Sequence, residues 1–420
     1  MLNKLMTILL ILSLQPTFAT SGYNAAGDFS LDYSLNAHGD ANFSTFTALG
    51  AQSVLAGMDF DGDSLYEILF SIDETLAPGG PDPGYLGVYL YEADGNGGYN
   101  HVWHFITPDP GNSLPGLFYG DIDSDGLSEI YFGVPPASGS NDNTWGTYIF
   151  EQQADLTFPA TATLLFQYGM TFSDNFRPAG FEIADLDGDG NMELCTVDRA
   201  VRRLSIDELD GSDFSSLSTF TNEYLDTQNL GGGSVYNLDA VDYDGDGNME
   251  VWVNTWNNFS MTVFEAVQAD SYKVAVDLNE IFQDGDPASF RRNGFAFHDI
   301  NGDSSLQAWF PMTNGKLYYL ESVPDSVGGV DSLKASHFHE VLTFGSRNRG
   351  SDSGDIDGDG DFDIIATTGT KETVVRMEFT GSDPTDANDY EVTTIFESIG
   401  DPADRYYPLD ISDNDLDGDG

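Results

Sequence analysis

Basic residues are scarce in this chain: 15 Lys plus Arg stand against 70 Asp plus Glu in 420 residues, a formal charge of −55. A field of that sign repels phosphate, which excludes nucleic acid and anionic membrane as general partners and favours cations. Cys195 is the single cysteine, so no intramolecular disulfide can form and no thiol near the N-terminus can carry a lipid. It lies in the apolar run Leu194, Cys195, Thr196, Val197, the setting of a buried, unreactive thiol. Beyond the first twenty residues no apolar stretch approaches the ~20 residues a spanning helix needs, and no segment carries the helical period of apolar positions. There is no G-x-S-x-G, no H-E-x-x-H, no phosphate-binding Gly-Lys loop and no cysteine pair of zinc spacing, so enzyme readings built on those motifs find no support.

At the N-terminus, Lys4, the apolar residues 6–14 and the small-residue site Thr17-Phe18-Ala19 read as a secretory signal over residues 1–19. The mature chain is expected to start near residue 20, to be secreted or held at the cell surface, and to carry no membrane span once the leader is removed. With 40% hydrophobic and 13% aromatic residues, it can bury a core despite its charge.

One pattern recurs along the mature chain: acids or amides at alternate positions, a Gly or Ser between them, and an acid or amide at position nine. It reads DFDGDSLYE from Asp59, DIDSDGLSE from Asp121, DLDGDGNME from Asp185, DYDGDGNME from Asp242, DINGDSSLQ from Asp299, DIDGDGDFD from Asp355 and DLDGDG from Asp415. The starts lie 62, 64, 57, 57, 56 and 60 residues apart, the mark of one supersecondary unit repeated. A short β-branched or aromatic run follows each of the first four loops and the sixth, as in Ile68-Leu69-Phe70 and Val251-Trp252-Val253. A third run ends in an apolar residue and an acid (Tyr91-Glu92, Phe150-Glu151, Phe264-Glu265, Leu320-Glu321, Met377-Glu378), and a turn leads to a fourth. Four strands per unit without helices predict an all-β fold, a β-propeller of four-stranded antiparallel blades. Counting loops predicts seven blades, the last incomplete. Residues 29–35 and 43–49 are candidate strands for that closing blade, and further chain is expected beyond residue 420.

Carboxylates at positions one, three and five converge because glycines let the backbone bend between them. The sets are Asp59, Asp61, Asp63 with Glu67; Asp121, Asp123, Asp125 with Glu129; Asp185, Asp187, Asp189 with Glu193; Asp242, Asp244, Asp246 with Glu250; Asp299, Asn301, Asp303; Asp355, Asp357, Asp359 with Asp363; and Asp415, Asp417, Asp419. Hard oxygens in number select calcium, which takes about 6 to 8 of them, over magnesium with its stricter octahedron. An EF-hand would need Glu at position twelve, where this chain has Phe70, Phe132, Thr196 and Val253. Loop five is the weakest, with Asn301 and Gln307 in place of acids. At a dissociation constant of ~0.1 mM and ~2 mM free calcium, each site contributes about 1.8 kcal/mol, and five contribute about 9 kcal/mol, in place of disulfides.

These units resemble the FG-GAP/VCBS repeats of integrin alpha-subunit propellers and secreted bacterial proteins, over residues 45–420, and Gly133-Val134-Pro135 after loop two is similar to the Gly-Ala-Pro part of that motif. The resemblance implies calcium in the loop between first and second strands, on the lower face, and a protein or glycan ligand on the opposite face of a monomeric propeller, as in adhesion modules.

The few arginines cluster where the chain enters a blade. Arg177, Arg291 and Arg347 each lie eight residues before a loop, and Arg292, Arg349 and Arg405 fall in the same connections. They are candidates for a funnel binding a carboxylate-bearing glycan or peptide, although pairing of each with a nearby Asp in so acidic a chain is the simpler explanation. His337 and His339 would share a strand face, whereas His101 and His104 would point apart. The alternative is a polysaccharide-lyase propeller, whose base would be sought among Tyr406, Tyr407 and His298.

Overall fold

The computed structural model describes residues 23–25 and 40–398, except 48–49, 77–79, 138–143, 201, 212–215, 231–233, 257–259, 279–294, 301, 303–304, 313, 346–349, 357–358 and 369–372. Six antiparallel sheets follow one another along the chain. Blade 1 is β2 (Ala51–Met58), β3 (Glu67–Asp73), β4 (Leu86–Ala93) and β5 (Tyr99–Ile106); blade 2 is β6 (Gly116–Gly120), β7 (Glu129–Val134), β8 (Gly146–Glu151) and β9 (Leu164–Phe166). Blade 3 is β10 (Pro178–Ala184), β11 (Glu193–Asp198), β12 (Leu204–Leu209) and β13 (Phe220–Asp226), and blade 4 is β14 (Ser234–Val241), β15 (Glu250–Trp256), β16 (Ser260–Gln268) and β17 (Ser271–Asp277). Blade 5 is β18 (Ala296–His298), β19 (Gln307–Pro311), β20 (Lys316–Leu320) and β21 (Phe338–Thr343). Blade 6 is β22 (Ser351–Gly354), β23 (Phe362–Thr368), β24 (Thr373–Phe379) and β25 (Tyr390–Ser398), with β1 (Tyr23–Ala25) added antiparallel to β25 as a fifth strand.

The propeller therefore has six blades, and the expectation of seven is corrected. Inner strands or their lead-in residues from all six sheets line one central cavity of about 210 Å³, through Val54, Leu117, Ala179, Leu238, Phe295 and Asp352. The loop count misled because the motif marks a turn, not a sheet: the seventh copy, Asp415 to Asp419, lies outside the described residues. The N-terminal strand joins the outer edge of blade 6 instead of founding a new one, and Phe43, expected in a strand, ends a 3-10 turn (Ala41–Phe43). Residues 1–19 and 29–35 also lie outside the described residues.

The second strand of each blade is buried on both faces. In β7 every residue from Glu129 to Val134 is buried, and β3 and β11 behave alike, which explains their unbroken apolar runs. The cores lie between blades: Leu69, Val88 and Trp103 of blade 1 pack with Ile130, Phe132 and Phe150 of blade 2. Cys195 is 1% exposed, and burial raises its thiol pKa well above the usual value, as its apolar neighbours predict.

Candidate metal loops and the opposite face

Each D-x-D loop joins the first strand of a blade to the second, so all six described loops lie on one face. The position-two residue, for example Ile122, Leu186 or Tyr243, turns into the core, with 1%, 0% and 0% exposure, leaving positions one, three and five outside. Positions four and six take the left-handed conformation, as at Gly188 (φ 76) and Gly190 (φ 99), which is why glycine recurs there. Serine bears the same geometry at Ser64 and Ser124. The position-one carboxylate fastens the turn: Asp185 accepts from the N–H of Gly188 (2.8 Å) and Gly190 (3.1 Å), and Asp242 does the same with Gly245 and Gly247.

Position nine opens the second strand and is buried in every blade except the sixth, where Asp363 is the strand's second residue and equally buried. One oxygen of each accepts the N–H of position two: Glu67 from Phe60 (3.0 Å), Glu129 from Ile122 (2.8 Å), Glu193 from Leu186 (2.6 Å), Glu250 from Tyr243 (2.7 Å), Gln307 from Ile300 (3.0 Å) and Asp363 from Ile356 (3.0 Å). The other oxygen, Oε1, of Glu129, Glu193 and Glu250 is buried with no hydrogen-bond partner, although all three residues have 0% exposure. Asp244 Oδ1 is in the same condition. Burial pushes Glu67 and Glu129 up to about 8 and Glu193 and Glu250 up to about 9, against the pull of their backbone donors and with the loop aspartates adding to the rise. A buried, unpaired carboxylate oxygen costs several kcal/mol unless a cation meets it. The loop geometry fits such a cation: Asp185, Asp187, Asp189 and Glu193 each offer an oxygen within 4.8 Å of the others, as do Asp59, Asp61 and Asp63, and Asp121, Asp123 and Glu129. Asp299, Asp355 and Asp359 hold their loop positions in blades 5 and 6. Asn301, Asp303, Asp357, Asp415, Asp417 and Asp419 lie outside the described residues.

The loops also join neighbouring blades. Gln152 of blade 2 donates to Phe60 O in loop one (2.6 Å), the Asp270 N–H of blade 4 to Asp187 in loop three (2.7 Å), and the Val330 N–H of blade 5 to Asp244 in loop four (2.8 Å).

On the opposite face lie the connections that enter each blade and the turns between second and third strands. Arg177 is half-buried there, its Nε donating to Asn175 Oδ1 (3.0 Å). Arg291, Arg292, Arg347, Arg349 and Arg405 lie outside the described residues. The reading of the chain missed Arg199, which crosses the β10–β11 ladder from Arg177: its N–H donates to Arg177 O (3.1 Å). Arg199 is 7% exposed, and its guanidinium donates to Ser113 Oγ and Asn112 Oδ1 (3.1 and 3.0 Å). Among the described residues neither guanidinium makes an ion pair with a carboxylate, while Arg203 beside them binds Asp198 at 2.8 Å. The signal was present as four arginines, 177, 199, 202 and 203, brought to one corner of blade 3.

The histidines depart from expectation. A bulge in the β4–β5 pairing skips Val102, so His101 and His104 meet on one face at 3.0 Å. His337 ends a 3-10 turn (Ala335–His337), while His339 stands on β21 against Glu321 (2.7 Å), so the two do not share a strand. His298 stacks on Phe362 at 4.4 Å, and Tyr406 and Tyr407 lie outside the described residues.

No protein-family model matches the chain, and no curated protein matches it. Solved structures do. The periplasmic gluconolactonase PpgL of Pseudomonas aeruginosa aligns with a TM-score of 0.50 at 11% identity, covering 81% of this chain and 85% of that one. An Agrocybe aegerita lectin that recognises non-reducing terminal N-acetylglucosamine aligns with a TM-score of 0.47 at 14% identity, covering 82% of this chain and 80% of the lectin. The likeness to the gluconolactonase is one of fold alone, a β-propeller.

Proposed function

We propose that the chain is a calcium-stabilised binding propeller of the FG-GAP/VCBS type, secreted or displayed at the cell surface. The observation that carries the reading is the buried Oε1 of Glu129, Glu193 and Glu250, which has no hydrogen-bond partner although each carboxylate stands at the mouth of an acidic loop. Calcium would be held by the alternate aspartates and position nine of a loop, most completely at Asp185, Asp187, Asp189 and Glu193, and would supply the missing positive charge there. The metal's part is structural: it fixes the turn between first and second strands and, through Asp187 and Asp244, the neighbouring blade.

Ligand binding is assigned to the other face. Arg177 and Arg199 stand side by side with only neutral hydrogen-bond partners in a strongly acidic chain, and guanidinium pairs with carboxylate in a bidentate fork. A uronate-bearing glycan or an acidic peptide segment supplies that group. The test is calorimetric titration of metal-stripped protein, first with calcium and then, at saturating calcium, with oligogalacturonate and a poly-glutamate peptide. Heat of calcium binding, followed by ligand heat that R177E abolishes, is expected. No calcium heat overturns the stabiliser, and ligand heat unchanged in R177E overturns the ligand face.

A further inference from the structure

The loop acids do not account for every carboxylate around these turns. In five blades the third strand sets an acid directly across the ladder from position nine: Glu67 faces Glu92, Glu129 faces Glu151, Glu193 faces Glu208, Glu250 faces Glu265 and Asp363 faces Glu378. Like charges in that relation repel, more strongly when partly withdrawn from water. Their recurrence in five sheets points to a positive charge between them. In blade 1, Asp61, Glu67 and Glu92 each bring an oxygen within 4.8 Å of the others, and in blade 2 Asp123, Asp125 and Glu151 do so. In those two blades the third-strand acid thus converges with the loop, while in blade 3 Glu208 accepts from the Asn191 amide of the loop at 3.2 Å.

Blade 6 fills that point with a side chain of its own. Arg376, two residues before Glu378 on the same face of β24, places Nε 3.2 Å from Asp363 Oδ1 and donates through Nη2 to Glu378. The guanidinium is 11% exposed and both acids are below 10%. One oxygen of Asp363 accepts the Ile356 N–H, and the other is met by the Arg376 guanidinium as an ion pair and not by a hydrogen bond. Blade 5 reaches neutrality differently: Gln307 accepts the Ile300 N–H, and its amide donates to Ser305 O at 3.0 Å. Blade 4 is intermediate, because Lys273 takes Glu265 at 3.0 Å while Glu250 Oε1 keeps no hydrogen-bond partner.

We propose that the third-strand carboxylate is part of the cation site, and that the cation is a divalent ion in blades 1 to 4 and the Arg376 guanidinium in blade 6. This rests on the calcium reading above and deepens it. Loop six, complete in its acidic positions, takes no ion because the chain carries the charge itself.

The test counts calcium bound to the full metal-stripped chain by equilibrium dialysis, with circular dichroism verifying the fold of each variant. E193Q is expected to lose one ion, and E92Q and E151Q each to weaken one site about tenfold or more. D363N is expected to leave the count unchanged and R376M to raise it by one. A loss of one ion in D363N, matching E193Q, overturns the assignment of blade 6, and unchanged affinity in both E92Q and E151Q overturns the role of the third strand. D363N decides site six alone where R376M does not fold. Absence of any uptake by the wild type overturns the calcium reading itself, an outcome distinct from uptake with a different pattern of sites.

Discussion

On the proposed calcium reading, removing the ion is the perturbation with the largest calculable effect. Among the described residues, the position-nine carboxylates of blades 1, 2, 3 and 4 (Glu67, Glu129, Glu193 and Glu250) make no ion pair with a basic side chain, although Lys273 reaches Glu265 across the ladder in blade 4. If each of these four loops holds calcium as proposed, then at ~2 mM free calcium and a dissociation constant of ~0.1 mM each would stabilise the folded state by about 1.8 kcal/mol, about 7 kcal/mol for the set. The entropy of unfolding for ~400 residues is on the order of 0.8 kcal/mol per kelvin, so the expected fall in Tm is about 9 °C. The effect is expected to be cooperative, since loops three and four are each gripped by the following blade through Asp187 and Asp244. The assay is a thermal melt followed by near-ultraviolet circular dichroism, with Trp145, Trp252 and Trp309 as fully buried reporters. It is run in 2 mM calcium and in excess chelator, with the same concentration of magnesium as a control. A Tm that moves by less than a degree would refute the reasoning from buried, partnerless oxygens to a bound ion.

Further outcomes are specific to other parts of the molecule. Asp198 has 0% exposure and binds Arg203 in a buried pair while accepting the N–H of Arg177 and Ala200; D198A is expected to cost about 3 to 5 kcal/mol, read as a lower urea midpoint with an unchanged slope. In the central cavity, burial raises Glu182 to about 8 and Asp239 to about 7, with the charge of Asp239 adding to the rise at Glu182 and that of Asp352 to the rise at Asp239. Both folded-state values lie above the unfolded ones, so the folded state holds more protons from about pH 4 to about pH 8 and stability falls as pH rises through that window. Melts in saturating calcium should show that slope, and E182Q with D239N should flatten it; a slope unchanged in the double variant would contradict the assignment. Cys195 should react with a thiol reagent only as fast as the chain unfolds, and rapid labelling of native protein would contradict its burial.

The local architecture was legible because the turn motif carries both chemistry and register. Asp185 to Glu193 sets where the first strand ends, which residue turns inward and where the second strand begins, and those boundaries recur in each blade. The blade number was not legible, since loops count turns while ring closure depends on how inner strands meet around a cavity. Glu92, Glu151, Glu265 and Glu378 were visible as an apolar-acid ending, whereas Glu208 follows Asp207 and was not, and the place of all five opposite position nine needed the ladder register. Arg199 was hidden for the same reason: 22 residues separate it from Arg177 in sequence, and only the β10–β11 hairpin makes them neighbours. His101 and His104 show the limit of strict alternation, because a single bulge at Val102 moves both onto one face.

The most direct measurement is a crystal structure grown in calcium, with anomalous difference density calculated at loop three. The account predicts an ion there, bound by Asp185, Asp187, Asp189 and the Oε1 of Glu193 at about 2.3 to 2.6 Å. Water alone in that loop, with Glu193 Oε1 hydrogen-bonded to a protein donor, would contradict it.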